Sequence, residues 1–589
     1  MKNPIKFYKS QVELYTSEVK SLNKKLIVLS VYRLLVFLTI IGGVYLFFEQ
    51  WQVILIIGVL GIAFFLFLLS KYTNLKRRRD LNKALVSINE EELKIECGDF
   101  HDRPDGLEFQ EPSHFYSLDI DLFGRGSFFQ FINRTTIKEG TQLLVHSLTS
   151  NHIQDIDKKQ EAVKELSQKA QWRQYFSATA SLVDIETPAK NIINWLENYQ
   201  LFLPKRIKWI PLIFSILSLG VISLCSFEII NPVFIIFWFV LGALITGIYL
   251  KKIGELANNI GKLKETFKQY ALLLDQIETE TFLSEILKTQ QEKIQSETKK
   301  ASLIFKELSK GLDALDNRNN LFVVFFGNGF LLTDIRNSFR IERWIEEYRN
   351  KVADWFEVIS FFDGYNSLGN YNFNHPKFVF PEIQEKGTVI LAKNLGHPLL
   401  DESKRVDSDV VIDEEQFFIV TGANMAGKST FLRTISLHIV MANAGLPVCA
   451  QESQYTPVKL ITSMRTSDSL TDDSSYFFSE LTRLKFIVDA IQKESYFIIL
   501  DEILKGTNST DKAIGSRKFV EKLVSSNATG IIATHDLSLC EITETLNEVK
   551  NYYFDAEIIN DELYFDYKLK DGICQNMNAS FLLKKMEIV

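Results

Sequence analysis

The stretch Phe417-Phe-Ile-Val-Thr-Gly-Ala-Asn-Met-Ala-Gly-Lys-Ser-Thr430 sets the frame for the rest of the chain. Phe417 to Val420 is a short apolar run of the kind that fills a buried strand. It passes into Gly422-Ala423-Asn424-Met425-Ala426-Gly427-Lys428-Ser429-Thr430 and then into FLRTISLHIVMANA, which has helical texture. This is G-x-x-x-x-G-K-S in the strand–loop–helix context it requires. Glycines let backbone N–H groups converge on phosphates, and the helix N-terminus adds partial positive charge. Lys428 is placed to reach β and γ phosphates and Ser429 to ligate magnesium, so ATP and Mg2+ are the expected ligands.

Downstream, Tyr496 to Leu500 is a second apolar run and ends in Asp501-Glu502. Asp501 is expected to complete the metal shell and Glu502 to polarise the attacking water. A third run, Gly530 to Thr534, closes on His535, at the end of a strand where ligands bind in parallel sheets. With Lys428, these give the expected catalytic set Lys428, Glu502 and His535. From Gly387 onward TVILA, FFIV, YFIILD and GIIAT alternate with helical stretches, predicting buried parallel strands of an α/β sheet.

Upstream, the texture differs. Leu26 to Phe48 carries Arg33 as its one charge, and Gln50 to Ser70, Trp209 to Phe227 and Ile229 to Leu250 carry none. Each is near the ~20 residues needed to cross ~30 Å of hydrocarbon. Short connections pair them as two helical hairpins. Lys24, Lys25, Lys71, Lys76–Arg79, Lys205, Arg206, Lys208, Lys251 and Lys252 flank the spans, while the turns carry Glu49 and Glu228. That asymmetry places both termini and the intervening segment in the cytosol of a multi-pass cell-membrane protein. It also accounts for the basic run Lys76–Arg79. Residues 251–370 read as helical. Leu256, Ile260, Leu263, Phe267, Tyr270, Leu274 and Ile277 form a heptad-like stripe, packed inside the domain or forming a dimer seam.

The divisions predicted are 1–25, a cytosolic segment; 26–70, the first hairpin; 71–205, a cytosolic segment with the start of a helical core; 209–250, the second hairpin; 251–385, an all-α core or lever; and 386–589, a P-loop ATPase domain. The fold class is therefore mixed: four transmembrane helices, an all-α core, and a C-terminal α/β domain. The 589 residues carry 66 Lys and Arg against 73 Asp and Glu, a net charge of -7, which argues against holding nucleic acid by bulk positive charge. Five widely spaced cysteines form no disulfide or zinc pattern.

Asn424-Met425 within the loop, Asp473-Ser-Ser-Tyr-Phe-Phe-Ser-Glu480, LDEILKGTNSTD (Leu500 to Asp511) and ATHD (Ala533 to Asp536) together resemble the ATPase domain of the MutS family, ABC-type ATPases of DNA mismatch repair. FFQFINRTTIKEGTQLL and QEAVKEL, between Phe115 and Phe176, are similar to the start of that family's helical core. The resemblance implies a homodimer in which Ser475 faces the γ-phosphate bound by the partner, with Glu480, Thr507, Asp511 and His397-Pro398 matching further elements of the pattern. It also implies double-stranded or mismatched DNA as partner. Ala423 and Ala426 replace the family's proline and glycine in the loop, and Leu504-Lys505-Gly506 replaces Gly-Arg-Gly. The mismatch-reading domain, with its Phe-x-Glu wedge, has no counterpart. The alternative is an ABC-like membrane ATPase acting on a non-DNA partner or in transport.

Overall fold

The computed structural model describes residues 3–182, 188–261, 263–295, 299–316, 321–465, 476–559 and 562–575. Its first apolar run belongs to a far longer helix. α1 (Pro4–Leu46) and α2 (Trp51–Glu96) lie side by side as one hairpin. Asn3 opens α1 by accepting from the Lys6 N–H, with Pro4 in the first turn. With 46 residues, α2 is roughly 69 Å long at about 1.5 Å per residue, more than twice the ~30 Å of a hydrocarbon layer. Residues 4–25 and 71–96 thus continue the same helices as the apolar runs.

The two halves of the hairpin have opposite surroundings. Around the turn, Ile27, Leu34, Phe48, Trp51, Leu60 and Phe67 are exposed. At the other end Tyr8 is buried and donates to Asn374 Oδ1 at 2.6 Å, Asn82 donates to Glu18 at 2.6 Å, and Asn89 pairs with Gln174. The stem is therefore docked on the helices that follow.

These are α3 (Phe128–Ile132), α4 (Lys138–Thr149), α5 (Ile156–Gln168), α6 (Ala170–Ala180) and α7 (Ala189–Glu197). α8 (Ile210–Ser226) and α9 (Val233–Gly261) form the second apolar hairpin. α10 (Lys264–Thr279), α11 (Glu285–Gln295), α12 (Ala301–Asp316), α13 (Leu321–Leu331), α14 (Thr333–Tyr348) and α15 (Val352–Asn374) complete the helical part. Among the described residues four helices are long and apolar enough to cross a membrane, by length and composition. α15 is the core's spine, burying Trp355, Ile359, Phe362 and Leu368 against α4, α5 and α11. The heptad-like stripe is divided between α9 and α10. Leu256, Leu263, Phe267, Tyr270, Leu274 and Ile277 are all buried within this chain. The Phe267 ring alone meets Phe305 at 5.2 Å, Trp344 at 5.9 Å and Phe356 at 6.1 Å, so the stripe serves intrachain packing.

The C-terminal part contains two larger sheets. β1 (Glu382–Ile383), β2 (Thr388–Leu395) and β3 (Ser408–Asp413) precede β4 (Phe417–Gly422), α16 (Lys428–Asn443), β5 (Glu452–Tyr455) and β6 (Lys459–Ser463). Then come α17 (Tyr476–Ile491), β7 (Tyr496–Asp501), α18 (Ser509–Ser525), β8 (Thr529–Ala533), β9 (Val549–Phe554), the hairpin β10 (Glu557–Ile559) and β11 (Glu562–Tyr564), and β12 (Lys570–Asp571). The six-stranded sheet runs β12-β9-β4-β8-β7-β6, parallel except at β12. The TVILA run corrects the sequence reading: it lies in β2 of a separate sheet, β1-β5-β2-β3, antiparallel to β3 and β5. No helix separates β2 from β3, and a parallel pair needs such a crossover. β3 accordingly alternates, with Val410 and Ile412 buried and Val411 exposed.

The helical part grips this sheet at β6. Thr462 donates its N–H to Phe115 O at 2.9 Å and its hydroxyl to Asp119 at 2.5 Å, and the Phe115 ring stacks on Tyr496 at 5.7 Å.

Candidate nucleotide-binding site

β4 is buried along its whole length and delivers the loop Gly422–Gly427 at the C-terminal edge of the sheet. Gly422 has φ 145° and Gly427 φ 107°, which favour glycine. Gly422 also pairs in register with Phe554 of β9, whose carbonyl a Cβ would meet at 2.6 Å. Ala426 is fully buried beneath the loop, whereas Met425 (φ 69°) stands out into solvent. α16 starts at Lys428, so its first N–H groups have no intrahelical acceptor and point, with the helix's positive end, into the cleft.

The polar side chains converge there. The Lys428 ammonium donates to Gly422 O at 2.9 Å and Ala423 O at 3.0 Å and lies 3.3 Å from His535 Nε2. Burial pushes its pKa down. Ser429 Oγ donates to Asp501 Oδ2 at 2.8 Å, joining the first residues of α16 to the end of β7. Glu502 follows with φ 48°, an uncommon conformation for a side chain of this size. Its N–H is tied to Ala533 O at 2.9 Å, and its Oε1 lies 2.8 Å from His535 Nε2. That hydrogen bond holds the Glu502 carboxyl at about 2, against the opposing effect of burial. An Nε2 that donates to Glu502 cannot accept from Lys428, so the ammonium's donors go to the loop carbonyls.

The remaining candidates surround this group. Asn424 and Thr430 line the same cleft. Glu480 is buried and accepts from the Lys505 N–H at 3.0 Å. Asn508 caps α18 by accepting from the Asp511 N–H at 2.9 Å, giving Asp511 a place in the turn after the carboxylates. His397 lies on the cleft wall, its pKa pushed to about 4 by burial, with Arg433 and Arg405 adding to the effect. Ser475 lies outside the described residues.

The cleft has a volume of about 730 Å³ and includes residues no local pattern marked: Arg405, Phe554 and Tyr567. Arg405 is held by Asp407 at 2.6 Å. Phe554 reaches the loop only because β9 pairs with β4, and a Cβ on Gly427 would lie 3.2 Å from the Tyr567 ring. Nothing around residues 554 or 567 in the sequence signals that proximity. Ser429 and Asp501 offer hard oxygen ligands aimed at one point, a fit for a divalent cation such as magnesium. The loop N–H groups with Lys428 fit a polyphosphate.

Residues 418–585 match the model of MutS domain V. MutS protein homolog 4 of Homo sapiens is 32% identical over 223 residues, covering 36% of this chain and 23% of that protein. The DNA mismatch repair protein MutS of Methanococcoides burtonii is 32% identical over 204 residues, and that of Aquifex pyrophilus 33% over 204; each match covers 33% of this chain and 23% of the relative. The chain thus spans about a quarter of the length of the curated relatives it matches. The matched region contains the loop, both carboxylates and His535, and residues 418–585 carry the MutS domain V.

Proposed function

We propose that this chain is a membrane-anchored MutS-type ATPase. Residues 386–589 are its ATP-hydrolysing engine, 26–70 and 209–250 its spans, and 1–25, 71–205 and 251–385 its cytosolic segments and helical lever. The reading rests chiefly on the convergence of Lys428, Ser429, Asp501, Glu502 and His535 at the ends of three neighbouring parallel strands. The loop amides from Gly422 to Thr430 orient the triphosphate, and Lys428 turns from its carbonyl partners to the β and γ oxygens. Ser429 and Asp501 would hold Mg2+, which would supply charge neutralisation during phosphoryl transfer. Glu502 accepts a proton from the attacking water, and His535 keeps its carboxylate ionised and aimed.

In the dimer, Ser475 of the partner subunit caps the nucleotide. ATP binding closes the pair and hydrolysis opens it, a two-state element biased by nucleotide. The names of the relatives make double-stranded or mismatched DNA the first partner to test. The basic flanks of the four apolar helices support an engine on the cytosolic face of the cell membrane. Direct docking of the first hairpin on the helical core favours a second reading, in which the same motor works a non-DNA membrane partner.

Glu502→Gln in the full-length protein should retain ATP and lose phosphate release, and wild-type turnover per chain should rise with protein concentration. An unchanged rate in Glu502→Gln would refute the assignment. Gel-shift assays with homoduplex and mismatched DNA, with and without ATP, separate the partners: no shift at low salt in either state removes DNA and leaves the membrane partner.

A further inference from the structure

α13 reads LFVVFFGNGFL and bears no charge. Its 11 residues reach only about 16 Å at ~1.5 Å per residue, roughly half a hydrocarbon layer. Yet Phe325 and Phe326 are 59% and 58% exposed, in a helix packed on the two apolar helices α8 and α9.

The packing has the features of helix association in lipid. Gly329 and Gly242 cross so closely that a Cβ on Gly242 would strike the Gly329 carbonyl, and one on Gly329 would strike the Phe239 ring. Small residues permit this backbone approach in membranes. Polar groups at the crossing are satisfied internally, as hydrocarbon demands. Ser218 of α8 donates to Phe330 O at 2.7 Å, one of the carbonyls α13 leaves open at its C-terminus, while accepting from Trp238 Nε1 at 2.7 Å. Asn328, the one polar side chain of α13, accepts from Thr333 Oγ1 at 3.2 Å and Asp334 N at 2.9 Å.

Depth follows from α8. Ser218 lies nine residues beyond Trp209, so about 13 Å along the helix, near the middle of a ~30 Å layer. Both neighbours of α13 return to the side from which α8 leaves. Asp316, ending α12, pairs with Lys264 at 3.1 Å. Glu342 on α14 accepts from the Phe202 and Leu203 N–H groups at 2.8 and 3.0 Å. On α14, Arg340 and Arg343, beside Glu342, are exposed at helical spacing, whereas Arg336 starts about 9 Å deeper along the helix and must snorkel to reach that level. Lys205, just before α8, reaches Glu346 at 3.0 Å. These cations mark a headgroup level.

We infer that α13 is a re-entrant helix that dips into the cytosolic leaflet beside α8 and α9, presenting Phe325 and Phe326 to lipid acyl chains. The inference rests on the membrane-anchored reading above. The test uses the full-length chain carrying Cys97→Ser, in phosphatidylcholine–phosphatidylglycerol liposomes. A fluorophore is attached at Phe325→Cys or Phe326→Cys, with Leu219→Cys on α8 as the span reference and Leu283→Cys as the aqueous reference. Lipids carrying a doxyl quencher on the acyl chain should quench positions 325 and 326 like 219 and several-fold more than 283. Quenching at 219 with 325 and 326 behaving like 283 overturns the inference and leaves the anchor standing; no quenching at 219 removes both.

Discussion

Glu92, near the end of α2, and Arg134, in the connection before α4, form a buried ion pair at 2.5 Å. Asn370 and Asn374 of α15 each donate to the same carboxylate at 2.9 Å, and Ser367 accepts from the Arg134 N–H at 3.0 Å. The pair therefore fastens the first hairpin to the spine of the helical core.

Burial opposes ionisation of Glu92, yet Arg134 overrides it and holds the carboxyl below its ordinary range. Glu92→Ala strands a buried guanidinium and should cost about 3–5 kcal/mol. Replacing both partners by methionine should cost much less. Thermal unfolding of the detergent-solubilised chain, read as a double-mutant cycle of Glu92→Met and Arg134→Met, checks this; a double-variant loss equal to the sum of the two single losses would deny the coupling.

Ser429→Ala and Asp501→Asn each alter one of the two oxygens proposed to hold Mg2+. Each should raise the Mg2+ concentration for half-maximal turnover by about tenfold or more, with nucleotide binding in excess Mg2+ largely kept. A Mg2+ titration of phosphate release decides the matter, and an unchanged midpoint would exclude both as ligands.

The Glu502 carboxyl, held at about 2 by His535, stays ionised across the physiological range. Because its folded value is depressed, its contribution to stability is present above the unfolded value of about 4.3 and is lost as pH falls toward 2. His535→Ala removes the largest cause of the shift, so the carboxyl should titrate closer to 4. Carbon-13 titration of labelled glutamate, assigned by loss of the signal in Glu502→Gln, measures the change.

Asp363 of α15 accepts from the Thr136 and Ile137 N–H groups at 3.0 and 2.9 Å, just ahead of α4. Burial outweighs these bonds and pushes its carboxyl up to about 7. A raised folded value gives stability that is full below the unfolded ~3.9 and is lost as pH climbs through 7. Asp363→Ala should cost about 1–3 kcal/mol from orphaned N–H groups, whereas Asp363→Asn should flatten the fall in melting temperature between about pH 4 and 7. Gly140→Ala should also destabilise, because its Cβ would collide with the Asp363 carboxylate.

Local pattern carried the chemistry of the ATPase domain and the placement of the apolar helices. A phosphate loop needs its strand, glycines, lysine and serine contiguous in the chain, and a bilayer-length helix needs its leucines contiguous, so both are written in consecutive residues. Partners distant in sequence had to await the fold. TVILA has the composition of a parallel strand, but the absent crossover helix made β2 antiparallel. The stripe from Leu256 to Ile277 fits a dimer seam as well as a core, and only the rings of Phe305 and Phe356 decided between them. Phe554 and Tyr567 reach the loop through strand pairing and chain return. Glu92, one acid among several in α2, meets Arg134, Asn370 and Asn374 only after the helices pack. Consecutive residues specify helices, loops and apolar spans because those depend on near neighbours. Which helix grips which, and which aromatic closes the cleft, depends on burial shared between segments hundreds of residues apart.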